Sequence, residues 1–250
     1  MRRIFVFAIV LIMAVLGWRL INALSAQKLK KRVPVVTKKP VEKKLPPLRV
    51  GEKITYDVRM NSFVLGKAVF NQLNRTVLKG ETVDVATFKT DVKGFYDIEK
   101  IYSDPISHLP FMVERDIQTL TSKERIIEDY DQKEFTLTLT KLKGKNKEET
   151  SIKKKGPIHN AILLPFYVRD IPKLYVGWTL KVELPTRVFE IKLVSIEDLK
   201  VSIGKFQCYR FESVPKRFEI WITTDKRRIP IKITGSGVIG YNLVIRDYSY

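Results

Sequence analysis

The sequence predicts a mostly β fold: an antiparallel curved sheet, an open barrel or a sandwich, with one short helix and an N-terminal transmembrane helix ahead of it. Three observations predict this. From Gly51 onward apolar and polar residues alternate with period two, turn signals punctuate the alternating runs, and Ile4–Trp18 runs without a charge. Hydrophobic residues make up 44% of the 250, enough to bury a core and to exclude a wholly disordered chain.

Alternation is clearest in Ile54–Met60, in Phe135–Thr140, where threonines face one way and apolar residues the other, in Phe218–Ile222 and in Ile229–Ile233. Successive strand side chains point to opposite faces, so β-branched and aromatic residues at every second position mark half-buried strands. Turn signals fall at Asn61-Ser62, Lys79-Gly80, Lys93-Gly94, Asp131-Gln132, Gly144-Lys145-Asn146, Glu197-Asp198, Asp225-Lys226 and Gly235-Ser236-Gly237. This spacing reads as antiparallel meanders, because parallel strands need crossovers of a dozen residues or more. One segment breaks the pattern. Ile158–Leu164, after Gly156-Pro157, reads as a short helix that Pro165 ends or kinks, packed across one face of the sheet or plugging one end. Lys141–Lys155, with seven lysines and two glutamates around Gly144, reads as an exposed hairpin tip.

The chain divides into a signal-anchor or signal peptide over 1–26, a Lys/Pro-rich linker over 27–49 and a β-rich body over 50–250. Met1-Arg2-Arg3 is a positive leader to the apolar run, which continues through Leu20, Ile21 and Leu24 past a single Arg19. Roughly 20 apolar residues span a bilayer, and an arginine near the interface snorkels outward. We read an uncleaved anchor; the alternative is cleavage after Ala23-Leu24-Ser25, with secretion to the periplasm. The linker carries Pro34, Pro40, Pro46 and Pro47 among its lysines. Such a chain stays extended at ~3.1 Å per residue, so it reaches up to roughly 70 Å. Lysines and arginines downstream of the span outnumber Arg2 and Arg3, which by the positive-inside rule alone holds the body in the cytoplasm. The signal-like layout and the single cysteine argue for the inner membrane with the body in the periplasm.

The net charge is +19, and residues 1–53 hold 13 Lys/Arg against two acids. A basic arm beside a membrane segment serves anionic headgroups or solubility. Nucleic-acid binding needs basic residues interleaved with stacking aromatics, and the arm has almost none. Cys208 is the single cysteine, which excludes an internal disulfide and a Cys-based zinc site, and its alternating strand marks it as a buried small hydrophobe. His108, in a turn-like segment, and His159, in the expected helix, have no second ligand at metal spacing. Asp91, Asp97, Glu99 and Asp104 cluster in sequence, with Asp97 and Glu99 on one strand face. Charged outward faces are common, and we read these carboxylates as outward. No nucleophile motif, phosphate loop or dinucleotide fingerprint is present. The expectation is a non-catalytic domain without metal or cofactor.

Several stretches in order resemble the bacterial envelope family DUF3108, a domain of unknown function. Gly51–Val58 followed by Leu65-Gly66-Lys67-Ala68 is similar to its first hairpin. Gly94-Phe95-Tyr96-Asp97-Ile98, and Asp104-Pro105 leading to Leu109-Pro110-Phe111, are similar to its middle. Tyr175–Leu180 is similar to its L-x-V-G-D strand opening, with Trp178 where an acid is usual, and Ile203-Gly204-Lys205-Phe206 to its P-x-G-x-F turn. Ile220–Pro230 is similar to the W-[LF]-[ST]-x-D-x-x-R-x-P hairpin. Pro165 departs from the family, falling where it shows an unbroken short helix. The resemblance covers about residues 50–245 and implies an exported β-rich domain with no established activity.

The last motif reads as scaffold. Trp221 buries a large ring, Asp225 bonds its own turn, Arg228 reaches back to Asp225, and Pro230 removes a ladder donor, as suits an edge strand. Two functions stay open. In the first, the curved sheet encloses a cavity that binds a lipid or other hydrophobic ligand, lined by Phe95, Tyr96, Phe166, Tyr167 and Trp178. In the second, an edge strand pairs with an envelope protein partner. A dry aromatic cavity favours the first, and a filled core with an open edge the second.

Overall fold

Period-two alternation becomes strand pairing throughout the body. The computed structural model describes residues 45, 47–235 and 241–250. The apolar segment 1–26 and most of the linker lie outside the described residues. Among the described residues no helix is long and apolar enough to cross a membrane.

The strands are β1 (Lys53–Met60), β2 (Phe63–Gln72), β3 (Thr76–Leu78), β4 (Glu81–Val92), β5 (Phe95–Ser103), β6 (Pro110–Thr119), β7 (Lys123–Asp131), β8 (Thr136–Lys143), β9 (Asn146–Lys153), β10 (Thr179–Glu183), β11 (Val188–Val201), β12 (Gly204–Val214), β13 (Phe218–Thr223), β14 (Pro230–Gly235) and β15 (Tyr241–Ser249). Among the described residues one short helix, α1, spans Leu164–Arg169. The sheet runs from β10 through β15 in chain order, then β1, β2 and β4 through β9, with β3 paired to β4. Neighbours are antiparallel, so it is two meanders joined where β15 pairs β1, with Tyr56 opposite Ile245. The sheet is open, with β9 and β10 at its edges. An isolated parallel bridge, Ile158 to Glu183, ties the crossing segment to the end of β10.

Curvature wraps the sheet around α1. Leu164 and Val168 pack with Val182, Ile191, Leu193, Phe211, Ile220 and Ile222 of β10–β13. Leu163 packs with Ile101, Val113, Tyr130 and Leu137 of β5–β8. Phe166 stacks on Phe70 of β2, ring centroids 3.8 Å apart, within the cluster that holds Ile54, Tyr56 and Ala68. A large apolar side chain buried in this way contributes about 1.5–3 kcal/mol.

Four expectations need correction. The helix starts at Leu164, where the expected one ended. Asn160 Oδ1 accepts bonds from Ile162 N and Leu163 N at 2.8 and 3.2 Å, which makes a turn of Asn160–Leu163. Pro165 opens α1 instead of ending it, because the first helical turn has no use for the missing N–H. Glu197-Asp198 is not a turn: β11 runs on to Val201, where Glu197 accepts from Trp221 Nε1 at 2.8 Å and Asp198 meets Lys205 at 2.9 Å. Pro230 opens an inner strand, β14, instead of an edge. The first residue of a strand tolerates the missing donor, and its carbonyl accepts from Tyr56 Oη at 2.9 Å. Lys141–Lys155 is exposed, but most of it is the edge strand β9 and the end of β8, with the tip confined to Gly144-Lys145.

Gly66 shows a close approach. A Cβ there would stand 2.1 Å from the Asp91 carbonyl oxygen on β4, so any other residue would push the two strands apart.

Candidate functional site

Helix α1 is held at its C-terminal end by charge. Arg169 donates both Nη atoms to the Glu52 carboxylate at 2.8 and 2.7 Å, with the arginine side chain 6% exposed and the glutamate 0%. Tyr248 Oη donates to Glu52 at 3.3 Å, and Arg49 stands 3.7 Å away. The Arg169 guanidinium also lies 4.8 Å from the Phe166 ring centroid. Burial pushes the Tyr56 hydroxyl well above the usual phenol range. Arg228, at a left-handed φ of 47°, sends Nη1 to the carbonyls of Arg169, at 2.9 Å, and Ile171. A guanidinium at the unsatisfied carbonyls of a helix end is favourable in both hydrogen bonding and charge. Asp225 does not bind that guanidinium. It accepts from Arg228 N at 3.2 Å, from Thr223 Oγ1 at 2.7 Å and from Arg227. The W-x-x-x-D-x-x-R stretch therefore forms its own turn and clasps the helix. Trp221 is 6% exposed, on the strand face opposite Ile220 and Ile222.

A second polar cluster lies on the concave face. Asp97 and Glu99 share a strand face with Phe95 and Ile101, which belong to the apolar clusters around α1, so they point inward rather than outward. Asp97 is 3% exposed and takes a forked bond from Arg115, whose Nε lies 3.0 Å from each oxygen. Glu99 stands 3.5 Å from Arg115 Nε. Burial pushes the Glu99 carboxyl up to about 8, against the Arg115 charge and aided by Asp97 and Glu128. Burial also raises Glu128, which accepts from Tyr130 Oη. Burial opposes the charge of Arg115, but its bond to Asp97 and the carboxylates around it outweigh that and hold it protonated. At neutral pH this cluster holds an Asp97–Arg115 pair beside a protonated Glu99, an arrangement able to donate and accept hydrogen bonds inside an apolar wall. Outside it, His108 Nε2 meets Asp170 Oδ2 at 3.0 Å. Burial would raise Asp170, but this bond and the Arg169 charge hold it below the usual range. Burial lowers His159. Among the described residues no group of His, Cys, Asp and Glu is placed to hold a metal ion.

The five aromatic candidates are not gathered around one cavity. Phe95 and Phe166 are core residues. Trp178 packs edge-on to Phe211, with centroids 6.2 Å apart, and Tyr167 sits between His108 and His159. Tyr96 alternates to the opposite face from Phe95 and carries Lys89 4.8 Å over its ring. A groove of about 350 Å3 runs along Tyr96, Ile117, Lys123, Arg125 and Leu142, and holds one of the five. Another, of about 480 Å3 along Asp129, Glu134, Thr138 and Lys153, holds none. Sequence reasoning missed the Glu52–Arg169 pair and the inward carboxylates. The signal for the latter was available: Asp97 and Glu99 share their period-two face with Phe95 and Ile101.

Residues 47–244 match the family model described as protein of unknown function DUF3108. No curated protein matches the chain. Among solved structures, the chain is similar to a β-barrel-like protein of the domain of unknown function DUF1849 from Brucella abortus, at 10% identity and TM-score 0.48, over 80% of this chain and 97% of that one. It is also similar to a protein with a YmcC-like fold from Bacteroides fragilis, at 9% identity and TM-score 0.30, over 82% of this chain and 99% of that one.

Proposed function

The chain belongs to the DUF3108 family, and from that premise and the geometry above we propose that its body is a non-catalytic envelope module that takes a protein partner strand along β9. In this reading residues 1–26 hold the chain in the inner membrane with the body in the periplasm. The observation that carries the proposal is the free edge. β9 is eight residues long, pairs only with β8 among the described residues, and is exposed over most of its length. An edge of this kind presents unpaired backbone groups to a further strand, and main-chain bonds then supply affinity. Lys147, Glu148, Glu149 and Lys153 discourage indiscriminate pairing, as charges on edge strands do. What supports this over a ligand inside the sheet is that α1 and its apolar partners occupy the concave face.

The test is a photo-crosslinking residue placed at Ser151 on β9 and, as a control, at the exposed Ile196 on β11, in the full-length chain in its native envelope. A discrete adduct from Ser151 alone is expected. Along a strand, successive residues direct their backbone groups to opposite sides. Of Glu149→Pro and Thr150→Pro, one therefore removes only an outward N–H; that variant should keep its melting temperature and lose the adduct. Equal adducts from both positions, or none from β9, would overturn the reading.

A further inference from the structure

Hairpin turns of an antiparallel meander fall alternately at two ends of the sheet. The pairings place the turns around residues 61–64, 93–94, 119–123, 143–147, 184–188 and 214–217 at one end. These segments carry Lys93, Lys123, Lys143, Lys145, Lys147, Arg187, Lys216 and Arg217, all exposed, and among the described residues there they carry no Asp or Glu. Acidic residues begin where the strands leave the tips, at Asp91, Asp116, Glu124, Glu148, Glu183, Glu212 and Glu219. Lys147 and Lys216 pair with carboxylates behind them. The same tips expose apolar side chains: Phe63 at 73%, Leu120 at 71%, Val214 at 55% and Val64 at 51%. The opposite end is mixed, with Asp104, Asp131, Glu134, Asp170 and Asp225 among a larger number of basic residues.

We infer that this basic, apolar-tipped rim docks on an anionic lipid surface. Neither ingredient holds a protein to a bilayer alone. Apolar tips that enter the boundary between headgroups and acyl chains, ringed by lysines at the headgroup phosphates, supply the two signals that stable peripheral attachment needs. Attraction to anionic lipid falls off within a Debye length, about 8 Å at physiological salt, so only groups at the rim itself contribute. That is where these cations stand. At the other end carboxylates stand among the basic residues and weaken such attraction. A purely acidic protein partner would answer the lysines but not the dispersed, protruding Phe63 and Leu120, which fit a deformable apolar phase better than a fixed surface. The inference is independent of strand pairing at β9.

The test uses the full-length chain reconstituted into vesicles. Cys208 is buried, so a cysteine introduced by Leu120→Cys takes an environment-sensitive fluorophore at that site alone, and Val77→Cys, 67% exposed at the opposite end, is the control. On vesicles of phosphatidylcholine with phosphatidylglycerol, the Leu120 label should shift to the blue and the Val77 label should not. High salt should reverse the shift. Lys143→Glu/Lys145→Glu, a change confined to an exposed tip, should reduce the lipid-contacting fraction roughly tenfold or more, since each lysine near such a surface adds attraction. Equal emission from the two labels on anionic vesicles, or an undiminished Leu120 shift on phosphatidylcholine alone, would overturn the inference. A shift produced by soluble polyglutamate and not by the vesicles would assign the rim to an acidic protein and overturn it as well.

Discussion

Glu52→Ala should be among the most destabilising single substitutions in the body. The change removes both bonds that Arg169 makes at 2.8 and 2.7 Å and leaves a guanidinium whose side chain is 6% exposed. Its Nε already lacks a hydrogen-bond partner, and the next carboxylate, Asp170, stands at 4.0 Å. Removing one partner of a buried pair costs about 3–5 kcal/mol, because the remaining charge stays desolvated. For a body of this size each kcal/mol moves the melting temperature by about 2–4 °C, so the expected fall is roughly 6–20 °C. Arg169→Ala should cost less, because Glu52 keeps Tyr248 at 3.3 Å and Arg49 at 3.7 Å. Glu52→Leu/Arg169→Met, which strands no charge, should lose less than Glu52→Ala alone. Thermal unfolding by circular dichroism on the four proteins reads all of this. A Glu52→Ala loss below about 1 kcal/mol, or a double variant equal to the sum of the singles, would refute the claim that this pair locks α1 in place.

Three further outcomes follow from the same geometry. Trp221→Ala should cost about 3–5 kcal/mol, Arg228→Ala about 1.5–3 kcal/mol through the lost helix-end bonds, and Asp225→Ala about 1 kcal/mol; melting in any other order would break the scaffold account of that hairpin. Cys208 is 0% exposed and burial pushes its thiol up to about 12, so a thiol reagent should label it only after denaturation, and rapid labelling of the native protein would contradict this. Glu99 keeps its proton in the fold up to about pH 8 but ionises near its ordinary 4.5 once unfolded, so its contribution is complete below about 4.5 and lost as pH rises through about 8. Glu99→Gln should flatten that fall in a melting-temperature series against pH, and an unchanged slope would remove Glu99 from the explanation.

The strands were legible because their signal is local. Alternation in Ile54–Met60 and Phe218–Ile222 needs only neighbouring residues, and a one-residue slip would turn every buried side chain to water. The helix was legible in kind but not in place. Ile158–Leu164 is apolar enough for a helix, but Asn160 takes the local backbone bonds and Pro165 suits a first turn better than a last one. The clasp on α1 was not legible at all. Glu52 and Arg169 lie 117 residues apart, and Arg228 and Arg169 lie 59 apart. No spacing rule connects such residues, because the curvature of the sheet brings them together. The separation of the aromatic candidates has a related cause. Phe95 and Tyr96 are adjacent in a strand and so face opposite ways, and only one of them can look inward.

The chain itself occupies the concave face, through Phe166 on Phe70 and Leu163, Leu164 and Val168 against the sheet. Native mass spectrometry of the full-length chain, extracted from its own membranes and activated stepwise, tests this most directly. The predicted result is that every lipid-sized adduct leaves together with the detergent, giving the bare polypeptide mass while the charge states are still those of the folded protein. A stoichiometric hydrophobic adduct that stayed bound until the domain unfolded would contradict it.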